Sequence, residues 1–363
     1  MRISNNTFLL VLVLLSNFIL YIFFFVFART HAVPETESPL SREIPEIILN
    51  PNDNSIKIGI FVTRIYNLDF TTEKFSAIFW IWAIYNPRVL DSLPAIQETE
   101  DKKYVFFENI EVVNAIDSNI SDNYAKEFTQ NGIEYKYEMA KFGATLAMPW
   151  DVRCYPFDKQ NLKIILESVG IDSGSIKFSP DNVNSIISDD LEMSDWKIDP
   201  VQLDCMDYTY QSTFGDPSGI KGVYPRLVFS IPLTRIGSRI FLTAYLGFFI
   251  AYIIVVVLML LDREMLGERL GLVMTSLFAA IGNKYTIDNY FPRQTYFSLS
   301  DLIQVITFII IALGLLDVIS MIRLVKTEKK ELAARIEKIF FWIIVPAYPA
   351  IILIGVLAAK LIK

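Results

Sequence analysis

Histidine is almost missing from this chain: His31 is the only one among 363 residues. Beyond residue 31 that excludes a Ser-His-Asp hydrolase and a histidine-ligated zinc site. Cysteine is scarce as well, with Cys154 and Cys205 the two representatives. They pair in an oxidising compartment or stand as two separate buried thiols, and spacing does not choose. Positive charge is not in excess either: 33 Lys and Arg face 40 Asp and Glu, a net charge of −7. Such a balance gives no reason to expect a nucleic-acid partner. No internal repeat, low-complexity tract, EF-hand spacing or convincing phosphate loop is visible. An enzyme is therefore a distant reading.

Apolar sequence is what the chain has in abundance. It is 53% hydrophobic, and its mean hydropathy is +0.38. That combination indicates a membrane protein with a substantial soluble part. Residues 8–28 form a first apolar run behind Arg2. It reads as a secretory signal spanning 1–32, cleaved after Ala28 or Ala32, with a retained anchor as the alternative. Four more apolar stretches follow, at 239–261, 270–287, 302–322 and 336–361. Each is near the roughly 20 residues a spanning helix needs. Arg323, Lys326, Lys329, Lys330, Arg335 and Lys338 gather around the connection between the third and fourth stretches. Basic loops stay in the cytoplasm, which places 33–235 and the C-terminus on the outer side of the membrane. Lys360 and Lys363, at the outer end, fit that orientation less well.

Residues 56–235 lack long helical periodicity. Short alternating runs at 56–66, 75–85, 104–115, 133–147, 160–168, 197–209 and 222–233 are separated by turn-forming clusters at 117–123, 170–175, 179–185 and 215–219. Many short strands at such spacing predict an antiparallel β-sandwich.

The stretch from 267 to 292 is the least apolar of the candidate spans. Gly271, Thr275, Phe278, Gly282, Tyr285 and Asn289 recur at alternating steps of four and three, which puts them on one helical face. Lipid would not select a stripe so small and polar. A water-filled path along a bundle axis would, and so would a small-residue seam between packed helices.

One motif is more specific. Within 148–162, MPWDVRCYPFDKQNL, the run Tyr155-Pro156-Phe157-Asp158 followed by Gln160 resembles the Phe-Pro-Phe-Asp-x-Gln core of the pentameric ligand-gated ion channels, the Cys-loop receptor family. Met148 and Leu162 stand where animal members carry the bracketing cysteines, as in the prokaryotic branch that lacks the disulfide. Other stretches agree in order: Gly59-Ile60-Phe61 through Asn67-Leu68-Asp69 to Phe75, then Asp195-Trp196-Lys197-Ile198, then Gly267-Glu268-Arg269, then Pro292. Two features depart from the family pattern. Stretch 239–261 has no proline, and Phe278 replaces the usual leucine.

The resemblance implies an extracellular antiparallel β-sandwich followed by a four-helix transmembrane domain (236–363), assembled as a homopentamer in a lipid bilayer. The second membrane helix, about 268–291, would line the pore. Five copies of Glu268 would ring its inner mouth and favour cations, although a Glu at a helix start also suits the helix dipole. Phe278 or Tyr285 would form the hydrophobic constriction. Asp69, Glu73, Tyr155, Pro156, Phe157, Asp158 and Pro292 would couple the sandwich to the pore, with Arg235 or Arg239 as the partner of Asp158. Pro156 could be cis.

The expected effector is a small molecule, a proton or a divalent cation. Trp80, Trp82, Tyr208, Tyr210, Phe214 and Tyr224 are the aromatics from which an amine cage could be built, and sandwich-core packing is the ordinary alternative. Asp204, Asp207, Asp216, Asp189, Asp190, Glu192 and Asp195 are acids that could titrate or take a modulating divalent cation such as calcium. No cofactor is expected and no metal site is assigned. The rival functions are an anion channel of the same family and a membrane-anchored sandwich that binds a ligand without conducting.

Overall fold

Two sheets and four long helices account for most of the residues described by the computed structural model: 54–91, 105–215, 217, 221–291 and 296–361. The signal or anchor at 1–32, Pro292 and Asp216 lie outside the described residues. The chain divides into two units. One contains the sheets; the other contains Asp151–Lys159 together with everything from Arg235 onward.

In the sheet unit, β1 (Ser55–Asp69), β2 (Lys74–Tyr85), β4 (Ala115–Gln130) and β5 (Ile133–Ala147) form an antiparallel series in the order β4-β5-β2-β1. β7 (Lys177–Pro180) and β8 (Ile186–Ile187) add to β1 in parallel. The sheet is therefore mixed, a correction to the purely antiparallel expectation. These two pieces are only four and two residues long. No turn signal fixes the direction of such short edge additions.

The second sheet runs β10 (Gln202–Thr209), β11 (Val223–Arg235), β6 (Lys159–Ser168) and β3 (Ile110–Val112), with β9 (Trp196–Ile198) also on β11. Alternation explains the core. Ile58, Ile60, Phe79 and Phe142 of one sheet and Leu162, Ile164, Leu227 and Phe229 of the other are all buried.

Two segment expectations are corrected. The 117–123 cluster is not a turn but the middle of β4, paired to β5 from Asp117↔Thr145 to Asn123↔Ala140. Its side chains are exposed, so the backbone ladder holds it at the sheet edge despite unfavourable composition. The hairpin turn comes later, at Asn131-Gly132, where both residues have positive φ (53° and 76°) as a type I′ turn requires. The predicted strand 104–115 is instead a short helix, Val105–Glu108, followed by β3. A helix at Pro87–Asp91 follows β2; these two short helices are α1 (Pro87–Asp91) and α2 (Val105–Glu108).

The helical unit comprises α3 (Gly237–Leu260), α4 (Leu266–Asp288), α5 (Leu299–Lys326) and α6 (Lys330–Leu361). Among the described residues, α3, α5 and α6 are long and apolar enough to cross a membrane. α4 has the length without the hydropathy, so three of the four expected spans meet that criterion. The bundle core is built from one face of each apolar helix: Tyr245, Phe248, Tyr252 and Val255 of α3, Ile303 and Ile310 of α5, and Ile344, Tyr348 and Ile352 of α6. Proline lacks the N–H that a helical carbonyl four residues earlier needs. In α6, Pro349 leaves the Val345 carbonyl in that state, and the Tyr252 hydroxyl donates to it at 2.8 Å. The same tyrosine stacks on Tyr348, with ring centroids 4.3 Å apart.

Candidate functional site

α4 carries the most unusual surface in the helical unit. Its buried side is narrow: Arg269, Val273, Ser276, Ala280 and Ile287. Asn283 pins it to α3 by accepting from the Gly247 N–H at 2.8 Å and donating to the Ala244 carbonyl at 2.9 Å. Gly247 permits this approach, since a Cβ there would lie 2.6 Å from the asparagine oxygen. The opposite side is the predicted stripe. Gly271, Thr275, Phe278, Gly282, Tyr285 and Asn289 are all exposed, Phe278 at 67% and Tyr285 at 68%. A Cβ built on Gly271 or Gly282 would meet nothing within 4 Å. Among the described residues, nothing packs on this stripe as a small-residue seam. Asn289 is the C-cap residue, one step past the helix proper. Glu268, in the first turn, is also exposed.

Immediately beside Glu268 lies a cluster that the sequence reading did not assemble. Arg269 is fully buried, and one of its terminal nitrogens donates to Asp317 of α5 at 3.0 Å and to Glu337 of α6 at 2.9 Å. Arg263 closes the group through Glu337 at 2.5 Å. A signal was present: Asp317 is an acid inside an otherwise apolar span, a costly placement that demands a partner. Nε and Nη1 of Arg269 and Oδ1 of Asp317 have no hydrogen-bond partner among the described residues.

The Tyr155–Asp158 loop belongs to the helical unit. The Tyr155-Pro156 bond is cis. Asp158 pairs with Arg235, not Arg239: Arg235 Nε and Nη2 donate to its two oxygens at 2.7 and 3.1 Å, with both residues buried. Arg239 is exposed on the first turns of α3. The Arg235 guanidinium also lies 5.0 Å from the centre of the Tyr155 ring. Tyr155 meets Phe291 edge-on at 4.5 Å, and Phe157 meets Phe241 at 5.6 Å. Gly237 is required by the loop, because a Cβ there would sit 1.7 Å from the Pro156 carbonyl oxygen. The start of α5 is tied in as well. Leu299 N–H donates to Arg153 O at 2.9 Å, and the Tyr296 hydroxyl accepts from Val152 N–H at 3.3 Å. Ser298 and Asp301 form a capping box there. The loop thus grips the connection that follows α4.

In the sheet unit, Asp69 organises its own turn. Its carboxylate accepts from the backbone and hydroxyl of both Thr71 and Thr72, which holds its pKa well below the usual carboxylate range. Glu73 is exposed at positive φ (52°), and its carbonyl accepts from Met148 N–H at 2.8 Å.

Of the six proposed cage aromatics, four come together and two do not. Tyr208, Phe214 and Tyr224 each meet Tyr210 edge-on, at 5.0, 5.2 and 5.9 Å. Arg226, which the sequence reading missed, lies 3.5 Å from the Tyr208 ring centre and pairs with buried Glu167 at 2.6 Å. The Tyr210 hydroxyl donates to the same glutamate at 2.7 Å, and that bond pushes the phenol up to about 12. Trp80 instead lies under Lys141, at 5.5 Å, and Trp82 turns inward, its indole donating to Asp181 at 3.2 Å. Cys154 and Cys205 are not joined in a disulfide, and burial pushes the Cys205 thiol up to about 12. Among the described residues no three His, Cys, Asp or Glu side chains converge as a metal site would need.

A further buried acid escaped sequence reading. Glu138 points inward from β5, accepting from Phe106 N–H at 3.1 Å, from the Tyr85 hydroxyl and from Lys136 at 3.1 Å. Burial raises its pKa above the ordinary 4.5 despite those donors.

No family model matches the chain. A proton-gated ion channel of Gloeobacter violaceus (strain ATCC 29082 / PCC 7421) is 25% identical over 150 residues. The chain is distantly similar to that channel. The aligned part is 40% of this chain and 41% of the relative, so less than half of either protein is compared. Two β-sheets followed by apolar helices, together with this likeness, agree with the resemblance carried by the Tyr155–Asp158 motif.

Proposed function

We propose that the chain is the subunit of an effector-gated, cation-selective channel, a homopentamer in a cell membrane with the sheet unit outside. The observation that carries this reading is the α4 stripe: six residues on one face, all exposed, on the helix too polar for lipid. Lining a shared aqueous path gives that face a solvent that neither lipid nor the rest of the chain supplies. Five copies of Glu268 then ring the mouth and attract cations. Phe278 and Tyr285 are the residues bulky enough to narrow the path.

The loop around Asp158 and Arg235 is the coupling element, since it holds the connection leaving α4. A proton is a better-supported effector than an amine. The aromatic cluster already holds a cation of its own, Arg226, over Tyr208. The relative is proton-gated by name. Whole-cell voltage clamp of expressing cells, stepping pH and then applying amines or divalent cations, tests the reading. Acid-evoked current with no amine response is expected; silence under all stimuli contradicts it and favours a non-conducting sensor.

A further inference from the structure

The charges behind Glu268 cancel. Arg263 and Arg269 contribute two positive groups, Asp317 and Glu337 two negative ones, and ion pairs of 2.5–3.0 Å link all four. Close by, Glu264 is paired with Lys330 at 3.4 Å. Glu268 is exposed and, among the described residues, makes no ion pair. Arg269 is its immediate neighbour in the chain, about 3.8 Å away along the backbone, yet its side chain leaves the helix about 100° further round and is fully buried.

Such a cluster is a poor device for stability. Desolvating four charges offsets most of their attraction, and three polar atoms remain without partners. Well-packed apolar residues would hold the three helices at least as firmly.

We propose that this cluster is a specificity element: by neutralising Arg269 and Arg263 inside the subunit, Asp317 and Glu337 leave Glu268 as the uncompensated charge at the inner mouth. The inference rests on α4 lining the pore. Without the acids, two arginines per subunit, Arg269 buried and Arg263 half-buried, would stand behind each Glu268 and cancel its field. Glu337 contributes most directly, because it alone touches both arginines.

The sign of each substitution follows from the count. Glu337→Gln leaves one surplus positive charge per subunit beside the ring. Cation over anion permeability then falls severalfold, the scale of one unit charge acting through a partly aqueous medium. Arg263→Gln, at the more exposed end of the cluster, leaves a surplus negative charge and raises the ratio. The double variant Arg263→Gln/Glu337→Gln is neutral again and restores the wild-type ratio.

The measurement is the reversal potential in a salt gradient for these three variants, with wild type and Glu268→Gln alongside and surface expression monitored. Opposite shifts for the two single variants, with restoration in the double, are expected. A role in folding alone would leave the permeability ratio unmoved in whichever variants assemble, or make the double at least as impaired as Glu337→Gln; either result overturns the inference. If Glu337→Gln does not reach the surface, Arg263→Gln still decides, since an unchanged or lowered ratio there also overturns it. If wild type conducts no ions, or Glu268→Gln leaves the potential unchanged, the pore reading itself fails and this inference falls with it.

Discussion

Asp158 is the residue whose setting was most legible in advance. Its motif announced a carboxylate needing an arginine, and the structure supplies Arg235 with two hydrogen bonds in a buried site. Choosing between Arg235 and Arg239 required geometry, because both lie at the end of β11 or the start of α3. Removing the Asp158 charge strands Arg235, so Asp158→Asn should lower stability by about 3–5 kcal/mol and abolish evoked current in protein that still reaches the surface. Thermal unfolding in detergent checks the first part. Pairing Asp158→Asn with Arg235→Gln should cost less than the two single losses combined, and strict additivity would count against a coupled pair. Glu138 was legible in principle and overlooked: with Lys136, Ala140, Phe142, Ala144 and Leu146 it shares the inward parity of β5. Its raised pKa has a definite consequence for stability. The folded protein holds the proton more tightly than the unfolded chain, so its contribution is complete below 4.5 and is lost as pH climbs through the raised value. Urea unfolding of the full chain from acid to neutral pH should show that decline in wild type and a flatter profile in Glu138→Gln.

The elements separate into those whose own composition decides them and those decided by neighbours. α3, α5 and α6 each carry a long apolar run and were visible from hydropathy, with ends shifted by a few residues. α4 was visible through its spacing instead, because its exposed stripe and narrow buried side obey a helical period. β4 was misread because Asp117, Ser118, Asn119, Asp122 and Asn123 favour turns, and only the ladder to β5 makes them a strand. Gly237 and Gly247 were unremarkable as letters; their need appears only where Pro156 and Asn283 approach the backbone. Pro346 and Pro349 lie inside α6, and as letters they do not say what satisfies the carbonyls they free. Tyr252 does so for Val345. Tyr252→Phe should therefore cost about 1–3 kcal/mol, the penalty of an unsatisfied buried carbonyl. In a Pro349→Ala background, where the helix regains its own donor, the same substitution should cost much less. Equal losses in both backgrounds, read from thermal unfolding, would remove this explanation of the Tyr252 hydrogen bond.

For the molecule as a whole, the decisive feature is a face with no use inside one chain. The sheet unit buries its own core, and the bundle buries one face each of α3, α5 and α6 while apolar residues such as Leu246, Ile309 and Ile343 stay exposed. α4, the least apolar of the four, keeps Thr275, Phe278 and Tyr285 in the open. Its buried side is fixed at one end by Arg269 and towards the other by Asn283, so the stripe's direction is set by polar anchors and not by grease. Under the proposed reading such a helix shares water with its copies in a ring, and Glu268 would govern what enters. The most direct test is the reversal potential of evoked current in a salt gradient, measured for wild type and Glu268→Gln. A wild-type potential close to the cation equilibrium value, shifted towards zero by the substitution, is the expected result. A wild-type potential at the anion equilibrium value, or one that Glu268→Gln leaves unchanged, would contradict the assignment of α4 as the wall of a cation path.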